Sequence, residues 1–325
     1  MISDMSAAPD GRDGAATYRK DRYFMILYKY RNWPVEGENW TRQTLIDNQI
    51  YASAPNDLND PFDSKFEVFS TQFKQNINEV MYNMHVMSFI MTFLSESATR
   101  LPKSEKEKLM KKLSQCKTSA EGFHFVKSYL KEHGYYRFEL TTGKEIVGQL
   151  EKQVANYGIY SLAERSDNIL MWSHYGDQHK GLALGFEIDD KLFDSSKTPY
   201  CGKVVYTEEF PKLSPDDVNM TTDLKFKGLN AEKNIHFADN ELIAQKTLYT
   251  KAKCWTYEDE WRIIYDSFGL KPFPGKLVRV VFGCRTSKET IREVKSILKE
   301  HVPNKVALLQ LEMSPTAFIL SEKKI

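Results

Sequence analysis

The sequence predicts an α+β fold, in which a mixed or mostly antiparallel sheet carries an inserted helical subdomain. Segments with strand-like composition occur near both ends of the chain, and a block with helical spacing separates them. No unit of about 20–50 residues repeats, which excludes solenoids and propellers. We expect a flexible tail over residues 1–22, a first part of the α+β core over 23–70, a helical insertion over 71–157, and a second part of the core over 158–325.

The first part of the core is predicted to run strand, helix, strand and loop. Residues 23–31 (YFMILYKYR) are aromatic and β-branched enough for a strand, which ends before a turn-prone Asn-Trp-Pro. A short helix is predicted over 40–49 and a second strand over 50–55. The Asn, Asp and Pro residues of 56–63 indicate a loop.

The middle block has helical spacing, with Lys-rich helices predicted over 103–116 and 119–132. Four methionines fall on one helical stripe: Met81, Met84, Met87 and Met91. Because methionine fills irregular gaps in a core, such a stripe indicates packing more often than a cofactor site.

Segments with strand-like composition occur again in the second part of the core. The predicted strands are 158–164, 180–189, 202–209, 261–266, 277–283 and 306–313. Residues 211–235 are expected to form an exposed excursion. A helix is predicted over about 287–301, with Thr286 and Glu289 as its capping box.

Composition narrows the class of protein. Lys and Arg number 45 against 44 Asp and Glu, so no overall charge attracts nucleic acid or an anionic membrane. Four widely spaced cysteines without a CxxC pair suit a reducing compartment, and we expect a cytoplasmic protein. The most apolar stretch, 80–94, is too short and too polar to span a membrane. Residues 1–22 lack the apolar core of a secretion signal.

The first candidate site is WTYEDEWRII (255–264). If the extended conformation begins by Glu258, then Glu258, Glu260 and Arg262 share one face of the strand. Two carboxylates at a strand entrance suit cleavage of an N-glycosidic bond, because one can hold the ribose hydroxyl while the other serves the nucleophile. The alternative is that Arg262 pairs with both glutamates in an exposed ladder.

The second candidate is NILMWSHYGDQHKG (168–181). His174 and His179 are five residues apart, about 140° around a helix, so they do not share a helical face, and we predict no metal site. His174 or Tyr175 can position a polar ligand beside Trp172. The alternative is a packed aromatic helix end whose histidine satisfies a buried carbonyl.

The third candidate combines the opening strand with residues 50–63. Tyr28, Tyr30 and Ser53 are predicted to face a ligand, with Lys29 and Arg31 on the other side of the strand. The alternative for NDPFD is a purely structural turn. The chain contains no GxxxxGK[ST], GxGxxG or GxSxG motif that would support a nucleotide kinase, a dinucleotide dehydrogenase or a serine hydrolase.

Four segments in this order, LYKYR, SAPNDLNDPFD, NILMWSHYGDQHKGLALGF and KCWTYEDEWRII, resemble a bacterial family. It is the domain of unknown function numbered twenty-nine seventy-one, which is linked to abortive infection and phage defence. The resemblance runs from about residue 25 to 320 and implies kinship without naming an activity.

A more distant resemblance, in layout, is to ADP-ribosyltransferases. It implies that NAD is a substrate, that Glu260 grips the nicotinamide ribose, and that Glu258 serves the acceptor. It also implies that Lys29 to Arg31 supply the basic or aromatic residue of the superfamily's first strand, and that Tyr51 or Ser53 supplies the small or aromatic residue of its second strand. Tyr51 or Trp172 would then stack on the nicotinamide ring. The chain departs from that superfamily in lacking an STS triplet.

Three hypotheses follow. The first is a NAD-dependent ADP-ribosyltransferase or NAD glycohydrolase, a toxin-like effector with a protein or nucleic-acid acceptor. The second is a non-catalytic antitoxin or phage-sensing module, whose Met-rich helical block binds a cognate toxin, antitoxin or phage protein. The third and weakest is a metal-dependent nuclease using Asp60, Asp63 and Glu67.

The catalytic candidates are Glu260, Glu258 and His174. The substrate-binding candidates are Tyr28, Lys29, Tyr30, Arg31, Tyr51, Ser53, Trp172, Tyr175 and Arg262.

Overall fold

The structure is a computed structural model, and it describes residues 25–65, 71–94, 101–133, 143–194, 199–212, 220–227, 230–237 and 241–325. The chain divides into two compact units. The first comprises Met1–Ser64, Asn156–Glu209 and Leu248–Ile325, and the second comprises Lys65–Ala155 and Phe210–Thr247. The tail predicted over 1–22 lies outside the described residues.

The described residues contain both strands and helices, which confirms the predicted α+β class. The strands are β1 (Ile26–Arg31), β2 (Gln49–Ala52), β3 (Gly158–Ala163), β4 (Leu182–Ile188), β5 (Tyr200–Lys203), β6 (Val205–Thr207), β7 (Met220–Lys227), β8 (Asn230–Phe237), β9 (Thr250–Ala252), β10 (Glu260–Tyr265), β11 (Gly269–Pro272), β12 (Gly275–Phe282), β13 (Ala307–Met313) and β14 (Leu320–Lys324). The α-helices are α1 (Trp40–Asp47), α2 (Thr71–Phe89), α3 (Lys103–Gln115), α4 (Ser119–Glu132), α5 (Gly143–Asn156), α6 (Ile169–His174), α7 (Glu241–Leu248) and α8 (Lys288–His301).

The first unit is built on an eight-stranded sheet in the order β14-β13-β12-β4-β1-β3-β10-β5. Six of its seven strand pairs are antiparallel, and β12 and β13 are parallel. The chain passes between the two parallel strands through α8, as a parallel connection requires. The prediction of a mixed, mostly antiparallel sheet is therefore confirmed.

Strand β1 separates the two cores of this unit. Leu27 packs in a core that includes the apolar face of α8, whereas Tyr28 and Tyr30 pack in a second core with Trp172. This distribution follows from the period of two along a strand, because alternate side chains point to opposite faces. The central strands are buried on both faces.

The sheet opens between β1 and β3. Strand β1 has six residue pairs in register with β4, but a single pair, Tyr28 with Ala163, with β3. Beyond that pair the Lys29 side chain takes the place of a ladder bond, because its ammonium donates to the Ser161 carbonyl at 2.8 Å. The gap between β1 and β3 is therefore flanked by the Lys29 ammonium of β1 and the Ser161 carbonyl of β3.

The second unit has a helical core of its own. Phe89, Leu109, Val126 and Leu130 form an apolar cluster between α2, α3 and α4, which lie close to their predicted positions. The methionine stripe is divided: Met81 is buried, whereas Met87 and Met91 are 55% and 66% exposed. A π-helical turn, Ile90–Leu94, follows α2.

Several boundaries differ from the prediction. The strand expected over 202–209 is two short strands, because β5 pairs with β10 in the large sheet whereas β6 pairs with β9. Ser287, not Thr286, caps α8, since the Ser287 hydroxyl accepts from the Thr290 amide. Thr286 instead donates to the Gly181 carbonyl.

The segment expected as an excursion over 211–235 includes β7 and most of β8, which pair as a hairpin. No helix among the described residues has the length and apolar character that a membrane span requires.

Candidate functional site

A cavity of about 250 Å³ lies in the first unit, where β1 and β3 diverge. Its walls come from the opening strand, the loop after β2, β3, α6 and the segment that leads into β10. The lining residues are Tyr28, Lys29, Tyr30, Ser53, Asp57, Leu58, Asn59, Asp63, Ser161, Leu162, Ala163, Met171, Tyr175, Lys251, Glu258 and Glu260.

Arg262 does not line the cavity but binds two of the acidic residues that do, Glu260 and Asp63. Its guanidinium is fully buried and donates to Glu260 Oε1 at 2.8 Å and Oε2 at 3.1 Å. It also donates to Asp63 Oδ2 and to the Leu248 carbonyl, both at 2.6 Å. The predicted pairing of Arg262 with the glutamates is thus real for Glu260, but it is buried rather than an exposed ladder.

Lys251 joins the two glutamates. Its ammonium donates to Glu258 Oε2 at 2.5 Å and to Glu260 Oε2 at 2.9 Å, and it lies 5.1 Å from the centre of the Trp255 ring. Lys251, Glu258 and Glu260 are all less than a tenth exposed. Buried charges of this kind persist where opposite charges and hydrogen bonds compensate the lost hydration.

Glu258 reaches the cavity by a route that the sequence did not predict. It ends a 3₁₀-helix, Lys253–Glu258, and Asp259 then adopts a left-handed conformation with φ of 44° before β10 begins at Glu260. Glu258 therefore lies before the strand, and the condition under which it would share a strand face with Glu260 and Arg262 is not met. Both carboxylates nevertheless contact the Lys251 ammonium.

Tyr175 holds the other oxygen of Glu258. Its hydroxyl donates to Glu258 Oε1 at 2.7 Å and accepts from the Asn59 amide at 3.2 Å. Asn59 belongs to the NDPFD loop and Tyr175 follows α6, so two separate sequence motifs meet at this carboxylate.

The two glutamates have opposite pKa shifts. Burial raises the pKa of Glu258, and the negative charge of Glu260 adds to that effect against the pull of Lys251. Burial acts on Glu260 in the same direction, but Arg262 and Lys251 outweigh it and hold its pKa well below the usual range. Such divergence between neighbouring carboxyls is typical of a proton-transfer group beside a permanently charged one.

The two lysines also differ. Burial and the nearby Arg31 lower the pKa of Lys29 to about 7, although part of its side chain remains accessible. Burial would also lower the pKa of Lys251, but Glu260 and Glu258 outweigh it, and the pKa rises.

The structure brings together seven of the predicted site residues on the cavity wall: Tyr28, Lys29, Tyr30, Ser53, Tyr175, Glu258 and Glu260. Alternation along β1 predicted Lys29 on the opposite side of the strand from Tyr28 and Tyr30, whereas the resemblance placed it among the substrate-binding candidates. It reaches the cavity because β3 diverges from β1 at that position and leaves space for its side chain.

Trp172 does not line the cavity. It is fully buried, its indole donates to the Ser166 carbonyl at 2.8 Å, and the Tyr30 ring packs edge-on at 5.1 Å. The expectation that Trp172 stacks on a ligand is wrong, because core packing uses its faces. Tyr51 is 48% exposed on β2, which pairs with β11 away from the cavity lining.

His174, Arg31 and Arg262 are also absent from the lining. The His174 side chain is exposed, and its ring lies 6.1 Å from that of Tyr257. His179 does not join it, because Asp177, Gln178 and His179 all have positive φ and turn the chain so that the His179 ring stacks on Trp172 at 6.3 Å. The helix end is packed around aromatic rings, as the structural alternative expected, but the His179 ring contacts the Ser173 hydroxyl at 3.3 Å and not a buried carbonyl.

The acidic residues of the nuclease hypothesis have other partners. Asp63 binds Arg262, and Asp60 accepts from the Trp255 indole at 2.7 Å. Glu67 lies outside the described residues. Among the described residues, no group of three or more His, Cys, Asp and Glu side chains is arranged to hold a metal ion.

Sequence reasoning missed Lys251 and the pairing of Asp63 with Arg262. A signal for Lys251 was present, since a lysine precedes Glu258 by seven positions and Glu260 by nine within one polar segment. No comparable signal linked Asp63 to Arg262, which are 199 residues apart along the chain.

Part of the chain is similar to a known protein family. Residues 171–263 match the family model described as "Protein of unknown function (DUF2971)". No curated protein and no solved structure matches the chain. The matched segment supplies Tyr175, Lys251, Glu258, Glu260 and Arg262, whereas β1 and the NDPFD loop lie before it. The part of the chain that is similar to this family of unknown function therefore contributes the whole Lys251-Glu258-Glu260 cluster.

Proposed function

We propose that the protein cleaves the N-glycosidic bond of NAD, as a glycohydrolase or as an ADP-ribosyltransferase. One observation carries the proposal: Glu258, which precedes β10, and Glu260, which begins it, line the same cavity as Lys29 and Tyr30 from β1. Glycosidic cleavage needs a carboxylate near the sugar, because positive charge develops there as the base departs.

The hydrogen bonds favour Glu258, rather than Glu260, as the carboxylate that holds the ribose hydroxyl. A carboxylate offers about four acceptor positions. Glu260 already accepts two bonds from Arg262 and one from Lys251, whereas Glu258 accepts one each from Tyr175 and Lys251. Glu258 therefore keeps more capacity for a ribose hydroxyl, and Glu260 holds Lys251 and Arg262 in place.

The proposed reaction is a displacement at the carbon that links ribose to nicotinamide. The bond to the nicotinamide nitrogen breaks and its electron pair leaves with the neutral base. Water, or a hydroxyl or amine of an acceptor, forms the new bond and gives up a proton. Glu258 is the proposed proton acceptor, because its raised pKa makes it a stronger base than an ordinary glutamate.

The size of the cavity limits what enters it. Its volume of about 250 Å³ is below the roughly 300–1,000 Å³ of pockets that enclose drug-sized ligands. We therefore propose that the nicotinamide ribose enters and that the adenylate portion remains outside the cavity.

We propose a role as a cytoplasmic effector in bacterial phage defence, with a protein or nucleic acid as the acceptor. The sequence resemblance to the family linked to abortive infection supports this setting. A cognate antitoxin or a phage component is the proposed partner that controls the activity.

The test is release of nicotinamide from NAD by the full chain, measured by liquid chromatography with and without protein and nucleic-acid acceptors. Glu258→Gln should reduce the rate by about 10²- to 10⁴-fold, the range that a positioned acid or base contributes. Glu300→Gln is the matched control, because it removes an exposed carboxylate on α8 and should leave the rate unchanged.

Background release by the wild type in the absence and presence of acceptors would overturn the proposal, as would equal rates for wild type and Glu258→Gln. Glu260→Gln serves as a second variant, provided that its circular dichroism and melting profile match a folded protein. It should also lose activity, because Lys251 and Arg262 would lose their shared partner.

One observation favours a second candidate, a non-catalytic interaction module. Met87 and Met91 expose 55% and 66% of their surface on consecutive turns of the second unit. Flexible, polarisable methionines suit adaptable binding surfaces. Replacing both with Gln should abolish capture of a cognate partner while nicotinamide release is unchanged. Capture that survives the double substitution contradicts this candidate.

A further inference from the structure

The cavity holds two lysines that have different partners. Lys251 is bound by both glutamates and lies within 3.7 Å of Asp63. Lys29, by contrast, forms no ion pair among the described residues, and the acceptor of its ammonium is the neutral Ser161 carbonyl. The nearby carboxylates that would stabilise a charged ammonium are thus bound to Lys251 and not to Lys29.

The surroundings of Lys29 favour the neutral amine. The ammonium lies 5.0 Å from the centre of the Tyr160 ring, and the side chain runs along the gap between β1 and β3. The charged groups that act on it are Arg31 on its own strand, Glu260, Glu258 and Lys251. Burial has the largest effect and the pKa falls to about 7. A large share of Lys29 is therefore a free amine at neutral pH.

A free amine that lines a cavity is a nucleophile toward carbonyl carbon, as in enzymes that form Schiff bases. From the placement of its amine we propose that Lys29 forms an imine with a small hydroxy-aldehyde bound in this cavity. The hydroxyl groups of such a ligand would find acceptors and donors in Glu258, Asn59 and Tyr175, which line the same space.

The step is balanced without a cofactor. The lone pair of Lys29 Nζ forms a bond to the aldehyde carbon, the carbonyl oxygen takes up a proton and the nitrogen gives up one of its two protons, which yields a neutral carbinolamine. That oxygen then leaves as water with a second proton, and the nitrogen loses its proton, which gives the imine. Glu258, with its raised pKa, is a carboxyl suited to pass a proton to the departing oxygen.

This inference does not depend on the proposed NAD reaction. It concerns a different electrophile, and it is tested by covalent labelling rather than by nicotinamide release. A failure of labelling with nicotinamide release intact would remove this inference alone.

The experiment uses the full chain with glycolaldehyde, the smallest hydroxy-aldehyde, and cyanoborohydride to reduce the imine to a stable secondary amine. Peptide mass spectrometry then gives the labelling rate at each lysine. At pH 7 an ordinary lysine is uncharged in roughly one molecule of several thousand, whereas a pKa near 7 leaves about half of the amine free. We expect Lys29 to be labelled at least about tenfold faster than Lys251 and the exposed Lys299.

The pH profile separates this reactivity from simple access to solvent. The rate at Lys29 should rise with a midpoint near pH 7 and then level off, while the rate at Lys299 should keep rising to pH 9. In Lys29→Arg the label on the corresponding peptide should disappear, with labelling at Lys299 unchanged. Labelling of Lys29 no faster than that of Lys299 at pH 7, or without a plateau, would overturn the proposal.

Discussion

Replacing Arg262 with methionine tests whether the buried ion cluster holds the site together. Arg262→Met removes four hydrogen bonds from a fully buried position and leaves Asp63 and Glu260 without their principal partner. Removing one member of a buried ion pair typically destabilises a protein by about 3–5 kcal/mol, because an uncompensated charge stays behind. Compared with a typical stability of about 5–15 kcal/mol, this loss is large.

The assay is urea unfolding followed by tryptophan fluorescence. All five tryptophans, Trp33, Trp40, Trp172, Trp255 and Trp261, belong to the first unit, so the signal reports the unit that contains the cavity. Arg292→Met is the matched control, since Arg292 is 72% exposed and pairs with Glu289 on the surface of α8. The control should change the free energy of unfolding by no more than about 0.5 kcal/mol.

A loss below about 1 kcal/mol for Arg262→Met would refute this reasoning, because that is the range of an exposed pair. The double variant Asp63→Asn with Arg262→Met gives a second reading. It should be less destabilised than the sum of the single variants, since each removes the charge that the other leaves unpaired. Strict additivity would also contradict the proposed cluster.

Three further predictions follow from the same contacts. Tyr175→Phe should raise the pKa of Glu258, because the hydrogen bond that it removes favours the ionised carboxylate. The acidic limb of the pH profile of nicotinamide release should therefore move to higher pH, and an unmoved limb would contradict this prediction. Relative to Lys29→Met, the wild type should gain stability as pH rises from about 7 toward 9, since Lys29 keeps its proton in the unfolded chain but has lost it in the folded protein. Melting temperatures of the two proteins that change in parallel with pH would count against this prediction. Asp259→Val should destabilise the first unit by about 1–2 kcal/mol in urea unfolding, because the Asp259 backbone has a left-handed conformation that valine adopts poorly. Asp259→Gly should stay within about 1 kcal/mol of the wild type, and equal losses for the two variants would contradict the role of that turn.

Much of the fold followed from local sequence patterns. The strand at β1, the apolar face of α8 and the helices of the middle block are each specified by residue periodicity, and the structure has them near the expected positions. Short elements were harder, because β9 and β11 span three and four residues and depend on their pairing partners rather than on their own composition.

The candidate site was predictable in its residue types but not in its connections. Glu258 and Glu260 were recognisable as a carboxylate pair, yet the left-handed Asp259 between them has no sequence signal beyond the tolerance of Asp for that conformation. Lys29 was expected on the opposite side of β1 from Tyr28 and Tyr30, and its contact with the Tyr160 ring agrees with that, but alternation alone did not predict that its side chain also lines the cavity. The sheet is interrupted at that point, and pairing between distant segments decides where such a gap opens.

The most direct measurement is a crystal structure of the full chain with a carbocyclic NAD analogue, in which a methylene group replaces the ribose ring oxygen and prevents cleavage. The account predicts that the nicotinamide ribose lies in the cavity between β1 and β3, with a sugar hydroxyl within hydrogen-bond distance of Glu258 and with Glu260 still bound to Arg262. An analogue bound elsewhere, or a cavity that remains empty at saturating analogue, would contradict it.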